Sequence, residues 1–390
     1  MELFSIWPWK PAGLAFNSDA MNFKERFDNW IFNSFSVSAE GLALLRIFTS
    51  LFILLFLIPG MGMGHFGFLA SLPNDFYAPS PGPLRIFDGF PPLAIFQLVH
   101  TILVISLFAM LAGYYTKWAS ILTGISILIL QGFIYSIGKV NHEIVVPLVP
   151  IIMAFSNWGY AYSVDSMRKK KIANPESWPI TLLALFVAFM MFTAGFPKIL
   201  GGWLDPSTQA TQGHLFNQFF IRERQALLAG WAVGFNNVIF WELLDWLTIL
   251  FEIGFIAALF KASWFRLFVG FAVVFHFSTM MTLNIAFLPN FLAYAVFLNW
   301  ENIYSTIRSQ YVRFSGVTGI KSGKRTVLLF SGLILLIFLP VKWLSSQNIA
   351  LSQTDLMLHE FVLVTAAFLF VAIVGFKKMA TALLKEKKIR

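Results

Sequence analysis

The chain has no cysteine among its 390 residues, which excludes disulfides, thiolate metal sites, cysteine nucleophiles and thiol redox pairs. Charge is scarce as well, with Asp, Glu, Lys and Arg together making 12% of the residues. No HExxH, paired-carboxylate, nucleophile-elbow or phosphate-loop motif occurs, so nothing points to hydrolase or nucleotide chemistry. No early basic stretch leads into a short apolar core and a small-residue cleavage site, and the first span is therefore expected to stay in place as an anchor.

What fills the chain instead is apolar. Hydrophobic residues make up 58%, with 45 phenylalanines, more than a soluble surface tolerates. The predicted fold class is an all-α, polytopic membrane helical bundle. A bilayer core roughly 30 Å thick needs about 20 apolar residues per helix. Ten stretches meet or approach that length: 40–58, 93–112, 118–137, 143–160, 178–197, 238–260, 264–283, 286–304, 326–344 and 358–376, with the seventh and eighth divided at Asn284 to Pro289. Residues 23–35 differ in kind, because Phe23, Phe27, Trp30, Ile31 and Phe35 repeat at helical spacing among Lys24, Glu25, Arg26 and Asp28. That pattern predicts an amphipathic interfacial helix. Three regions follow: residues 1–39, an N-terminal cytoplasmic segment with the interfacial helix; 40–305, the membrane core; and 306–390, a basic cytoplasmic loop, two further spans and a basic tail.

Positive charge orients this bundle. With both termini cytoplasmic, the inner segments collect Lys24, Arg26, Arg168 to Lys171, Lys321, Lys324, Arg325 and the cations from Lys377 onward, while the outer side receives only Arg85, Lys139, Lys198, Arg222, Arg224 and Lys342. The net charge of +9 thus faces anionic lipid rather than nucleic acid, in a cell (inner) membrane of bacterial type. His65, His100, His142, His214, His276 and His359 all fall in outer loops or outer halves of spans, as do Lys139, Asn141, Glu143 and Lys198. The long outer connections, 59–92 and 198–237, are long enough to build a site, so a cavity opening to the periplasm or exterior is expected. The histidines include no close pair of the kind zinc motifs use, and no tightly bound metal is expected. Pro147 and Pro150, early in the fourth span, free the carbonyls of Glu143 and Val146 beside Asn141 and His142. Arg46, a turn and a half inside the first span, is expected to snorkel or to pair with Glu252, and Asp165 to cap the end of the fourth span.

The stretches "GLALLRIFTSLFILL", "NHE", "FSNWGYAYSVD", "FTAGFPKILGGWLDP", "FEIG" and "FHFSTMMTLNIAFLPNFLAY" stand in an order that resembles the HTTM family, the membrane core shared with vitamin K-dependent γ-glutamyl carboxylases, over roughly residues 25 to 305. The resemblance implies that Lys198 is the base that starts the chemistry, that His142 and His276 join it, and that Asn141, Trp203 and Phe196 help hold a reduced, vitamin K-like quinone, with no metal. It implies a lyase-like carboxylase or quinol-epoxidising oxygenase acting on a lipid-soluble quinol and a secreted peptide. Where the carboxylases commonly carry a second basic residue just before the base, this chain has Pro197.

The residues themselves fit a lysine base. Phe192, Phe196 and Trp203 would wall Lys198 with apolar surface and favour a neutral amine, Pro197 would end the helix and turn the side chain inward, and Gly201 and Gly202 would let the loop pass close to a ring. Two other readings stay open: a non-catalytic membrane partner in export or maturation of a secreted peptide, in which Lys198 merely snorkels, and a haem or quinone electron carrier using His100 and His276.

Overall fold

The computed structural model describes residues 22–61, 63–79, 82–137, 142–168, 174–315, 323–346 and 356–389. All regular structure among them is helical. Six helices are long and apolar enough to cross a membrane: Ala39–Leu57, Leu93–Ala112, Thr116–Tyr135, Trp178–Leu200, Ala262–Leu283 and Leu358–Phe376. Each coincides with one of the ten apolar stretches. We number the principal helices α1 (Phe23–Asn33), α2 (Ala39–Phe52, continued by a π turn to Leu57), α3 (Leu93–Ala112), α4 (Thr116–Tyr135), α5 (Val145–Met153), α6 (Trp178–Leu200), α7 (Ala210–Phe216), α8 (Val238–Ala258), α9 (Ala262–Leu283), α10 (Leu288–Ala295), α11 (Trp300–Ser315), α12 (Gly323–Ser346) and α13 (Leu358–Ile389).

The other stretches fold differently, for local reasons. The fourth yields only the nine residues of α5, with Pro150 inside it, and then turns that include Asn157 at φ +64°. The sixth is the 21-residue α8, whose apolar run is interrupted by Glu242, Asp245 and Glu252. The eighth breaks into the short α10 and the amphipathic α11, and the apolar part of α12 covers Leu328–Val341.

Residues divide into two compact units, 31–187 with 289–343, and 1–30 with 188–288 and 344–390. In the first, Ser38 caps α2 by accepting from the Gly41 N–H at 3.1 Å, and Gly41 lets α2 lie against the backbone of Trp300 at the start of α11. Arg46 does not snorkel, and Glu252, the acid expected as its partner, pairs instead with Lys198. The arginine is fully buried, because α2 is packed over nearly its whole length, and its Nη2 donates to the Tyr162 carbonyl at 2.7 Å. Helices α3 and α4 pack through small residues, with the Ser106 and Thr123 hydroxyls 3.0 Å apart, as membrane helices do when backbones approach closely. Asp165 is a cap, but of a helix other than its own: its carboxylate accepts from Tyr115 N, Thr116 N and Thr116 Oγ1, closing the N-terminus of α4.

In the second unit, α8 and α9 pack through Phe251, Phe255, Phe265 and Phe268, and α9 meets α13 through stacked Phe277 and Phe368 rings. Asn284 ends α9 at φ +56°, and its side chain holds the backbone of Ala226 through Oδ1 at 3.0 Å and Nδ2 at 3.1 Å. The division between the seventh and eighth stretches therefore falls at Asn284, where a residue tolerant of left-handed backbone stands. A helix forms at α1, exposed along almost its whole length, but it ends at Asn33, and Phe35, expected on its apolar stripe, lies beyond it and is buried. Trp30 donates from Nε1 to the Leu259 carbonyl at 3.1 Å and so ties α1 to the end of α8.

Candidate functional site

The end of α6 is set by close helix approach. Gly195 sits against α8, where a Cβ would come within 2.9 Å of the Glu252 Cβ and 3.3 Å of its Oε2. One turn later Lys198 reaches the same acid, its Nζ 2.5 Å from Glu252 Oε1. The lysine side chain is 22% exposed and the glutamate 6%, so the pair lies at an edge, with the acid inside and the cation partly exposed. Lys198 also stands in the last turn of α6, where the helix dipole favours a cation.

Helix α6 does not stop at Pro197. It runs on to Leu200, and the Gly201 N–H still reaches the Pro197 carbonyl at 2.8 Å. A proline removes only its own N–H, here the donor to Thr193, and leaves the carbonyls after it free to accept. The chain turns later, at Gly202 with φ +79°, a left-handed conformation that suits glycine. The Trp203 N–H returns to the Lys198 carbonyl at 3.1 Å, and the Trp203 ring comes to lie 4.8 Å from Lys198 Nζ, a cation–π contact. Past it, the Ser207 N–H and hydroxyl donate to Asp205, holding its carboxyl below the usual carboxylate range, and Thr208 donates to the Gly202 carbonyl at 2.7 Å.

Helix α7 brings the next member. Asp245, fully buried on α8, accepts from Ala210 N at 2.9 Å, from Thr211 N at 2.8 Å and from Thr211 Oγ1 at 2.5 Å, which fixes the N-terminus of α7. One turn along α7, the His214 ring lies 5.4 Å from that of Trp203. Asp245 and Glu252 share the buried face of α8, seven residues apart, so one helix face positions both α7 and Lys198.

Of the residues singled out from sequence, the structure thus joins Lys198 and Trp203. Phe196 stacks on Phe192 at 5.4 Å and is 45% exposed, turned outward rather than walling the lysine. His276 is buried on α9 with its ring 4.8 Å from Phe287. Asn141 and Lys139 lie outside the described residues, and so does the side chain of His142, whose backbone opens the turn His142–Ile144. Glu252 and His214 are the members not foreseen as parts of this site. The signal for Glu252 was an acid in an apolar span with Asp245 two turns before it; for His214 the sequence carried none, since its contact depends on the turn at Gly202. Among the described residues no three His, Asp or Glu side chains converge as metal ligands. No family model, no curated protein and no solved structure matches this chain.

Proposed function

We propose that this chain is an integral membrane enzyme in which Lys198, coupled to Glu252, moves a proton to or from a lipid-soluble, ring-bearing substrate such as a reduced quinone at the outer leaflet. The observation that carries the reading is the Lys198–Glu252 contact of 2.5 Å beside the face of Trp203. Glu252 lies within hydrogen-bond distance of the lysine nitrogen and is the acceptor positioned for its proton. Glu252 can then take the ammonium proton and leave Lys198 with a free electron pair aimed at a bound hydroxyl, as a general base requires. The residues present fit an aromatic ligand: Trp203 offers a plane, and His214 supplies a hydrogen-bonding group against its ring. A reduced quinone bound there supplies an acidic hydroxyl and two reducing electrons. Lys198 and Glu252 supply the proton path, and Gly195 sets their separation. The HTTM-like order of motifs, the outward-facing site and a membrane core of about ten spans belong to the same reading.

The test uses full-length protein in lipid nanodiscs with vitamin K hydroquinone in air-equilibrated buffer, dissolved dioxygen being the two-electron acceptor and the lysine–glutamate pair taking the hydroxyl proton, and follows the oxidation by ultraviolet absorbance. Wild type turns over; Lys198→Arg, permanently protonated, and Lys198→Ala lose at least about 100-fold, the low end of the general-base range. Turnover by Lys198→Arg equal to wild type, or none above protein-free nanodiscs in the wild type, sinks the reading.

A further inference from the structure

A second feature of the same unit lies apart from the lysine. Beside α7 is an open cleft of about 480 Å³, lined by Ala210, Gly213, His214, Asn217 and Gln218. Its polar lining is an imidazole and two amides, and no acid borders it. Gln218 is held in one orientation, since its Oε1 accepts from Arg224 Nη1 at 2.9 Å, and the Arg224 N–H bonds the Gln218 carbonyl at 3.0 Å. With its oxygen committed to the arginine, the amide presents its N–H groups as donors to an incoming ligand. Arg222 stands exposed two residues before Arg224. Acids on the flanking segments are Asp205, bonded by Ser207, Glu223, exposed in the loop after the cleft, and Asp245, whose carboxylate is fully buried and accepts from three donors at the start of α7.

The same segment is apolar on another side. The π-helical turn Asn217–Ile221 continues α7, and Phe216, Phe220 and Ile221 stand 37%, 63% and 71% exposed, with the Phe216 and Phe220 rings 6.0 Å apart. The segment is nevertheless held firmly: Leu215 is buried in a cluster with Ala232 and Trp241, and Asp245 pins its N-terminus. A cleft lined by an imidazole and two amides, with Arg224 bonded to one of those amides and Arg222 exposed in the loop after it, therefore shares its segment with an exposed aromatic ledge on a fixed element that follows the end of the apolar helix α6.

We propose that the cleft of His214, Asn217 and Gln218, with Arg222 and Arg224, binds the phosphate of an anionic phospholipid whose acyl chain lies over Phe216, Phe220 and Ile221. Charge complementarity and the division of one short segment into donor and apolar sides carry the assignment. It shares His214 with the quinol reading, but none of its contacts involves Lys198 or Glu252.

The experiment measures binding of a fluorescent phosphatidylglycerol and a matching phosphatidylcholine to delipidated full-length protein in detergent, with glycerol phosphate as competitor. Phosphatidylglycerol is expected to bind more tightly, by roughly fivefold for each arginine that the site supplies. Arg222→Gln and Arg222→Gln with Arg224→Gln should remove that preference stepwise while phosphatidylcholine binding stays constant; Arg222 is exposed, so its variant should fold. Lys198→Ala should keep the preference, which separates a failure here from a failure of the quinol reading. Equal binding of the two lipids by wild type, an unchanged preference in the double variant, or saturation by glycerol phosphate at equal affinity, which would mark a soluble-anion site, overturns the proposal.

Discussion

Both units of this chain close a helix N-terminus with an aspartate brought from elsewhere, and they do it with the same three donors. In the unit built from 31–187 and 289–343, Asp165 accepts from the N–H groups of Tyr115 and Thr116 and from the Thr116 hydroxyl; in the other, Asp245 accepts from the N–H groups of Ala210 and Thr211 and from the Thr211 hydroxyl. The device is shared but what it holds differs. Asp165 closes a 20-residue helix of spanning length, whereas Asp245 holds a seven-residue helix that carries His214 to the Trp203 ring. Their cations diverge in the same way. Arg46 in the first unit is sealed, with one guanidinium nitrogen on a backbone carbonyl, while Lys198 in the second is partly exposed and in contact with a carboxylate. Arginine does not give up its proton at neutral pH and serves structure here, whereas a lysine in contact with a carboxylate has a proton acceptor within reach.

The largest effect should come from breaking that pairing. Lys198→Met leaves Glu252 buried without its cation, and unfolding stability in detergent should fall by about 3 kcal/mol, the low end for a broken buried pair because the lysine is partly exposed. Adding Glu252→Gln should restore most of the loss. If the double variant is no more stable than Lys198→Met in a thermal melt, the pair is not what stabilises the end of α6.

Much of this organisation was legible in sequence, and the failures have physical causes. Six spanning helices announce themselves because lipid demands long apolar runs, and Asn284 announces a break because it tolerates left-handed backbone. The pairing of Lys198 was not legible, since periodicity shows that Asp245 and Glu252 share a face but not which helix that face meets. Pro197 misled for a related reason. Proline forbids a hydrogen bond to the residue four before it, but α6 carries that loss and runs on for three residues. Phe196, adjacent in sequence to the lysine's turn, points outward because it lies two positions away, on another side of the helix.

The next effect compares two close helix approaches. At Gly124, between α4 and α5, a Cβ would lie 2.3 Å from Ile151 Cγ1 and 2.6 Å from the Pro147 carbonyl oxygen; at Gly195 the nearest atom, Glu252 Cβ, is 2.9 Å away. Gly124→Ala should therefore cost toward the upper end of about 1–3 kcal/mol and Gly195→Ala toward the lower, where improved helix propensity of roughly 1 kcal/mol offsets part of it. The proposed quinol oxidation should reverse this order, with Gly195→Ala the more damaging because it moves Glu252 and hence Lys198. Equal loss of turnover in the two variants at matched folded fraction would show that Gly195 serves packing alone.

The smallest effect is the most discriminating, because each unit carries the same weak contact. Lys117 Nζ lies 4.7 Å from the Phe155 ring in the first unit, and Lys198 Nζ lies 4.8 Å from the Trp203 ring in the second. A cation–π contact at a site open to solvent contributes about 0.5–1 kcal/mol, so Phe155→Leu and Trp203→Leu should each lower stability by a similar amount beyond the loss of ring packing, which thermal melts of the corresponding lysine-to-methionine double variants can subtract. Function should separate what stability does not. Lys117 has no carboxylate partner among the hydrogen bonds and ion pairs of the described residues, whereas Lys198 contacts Glu252 and, in the proposed function, shares the Trp203 face with the substrate. Trp203→Leu should therefore weaken vitamin K hydroquinone binding while Phe155→Leu leaves it unchanged. If Trp203→Leu binds the hydroquinone as well as wild type does, the indole is a ledge for the lysine alone, and the ring-bearing substrate has no plane on which to lie.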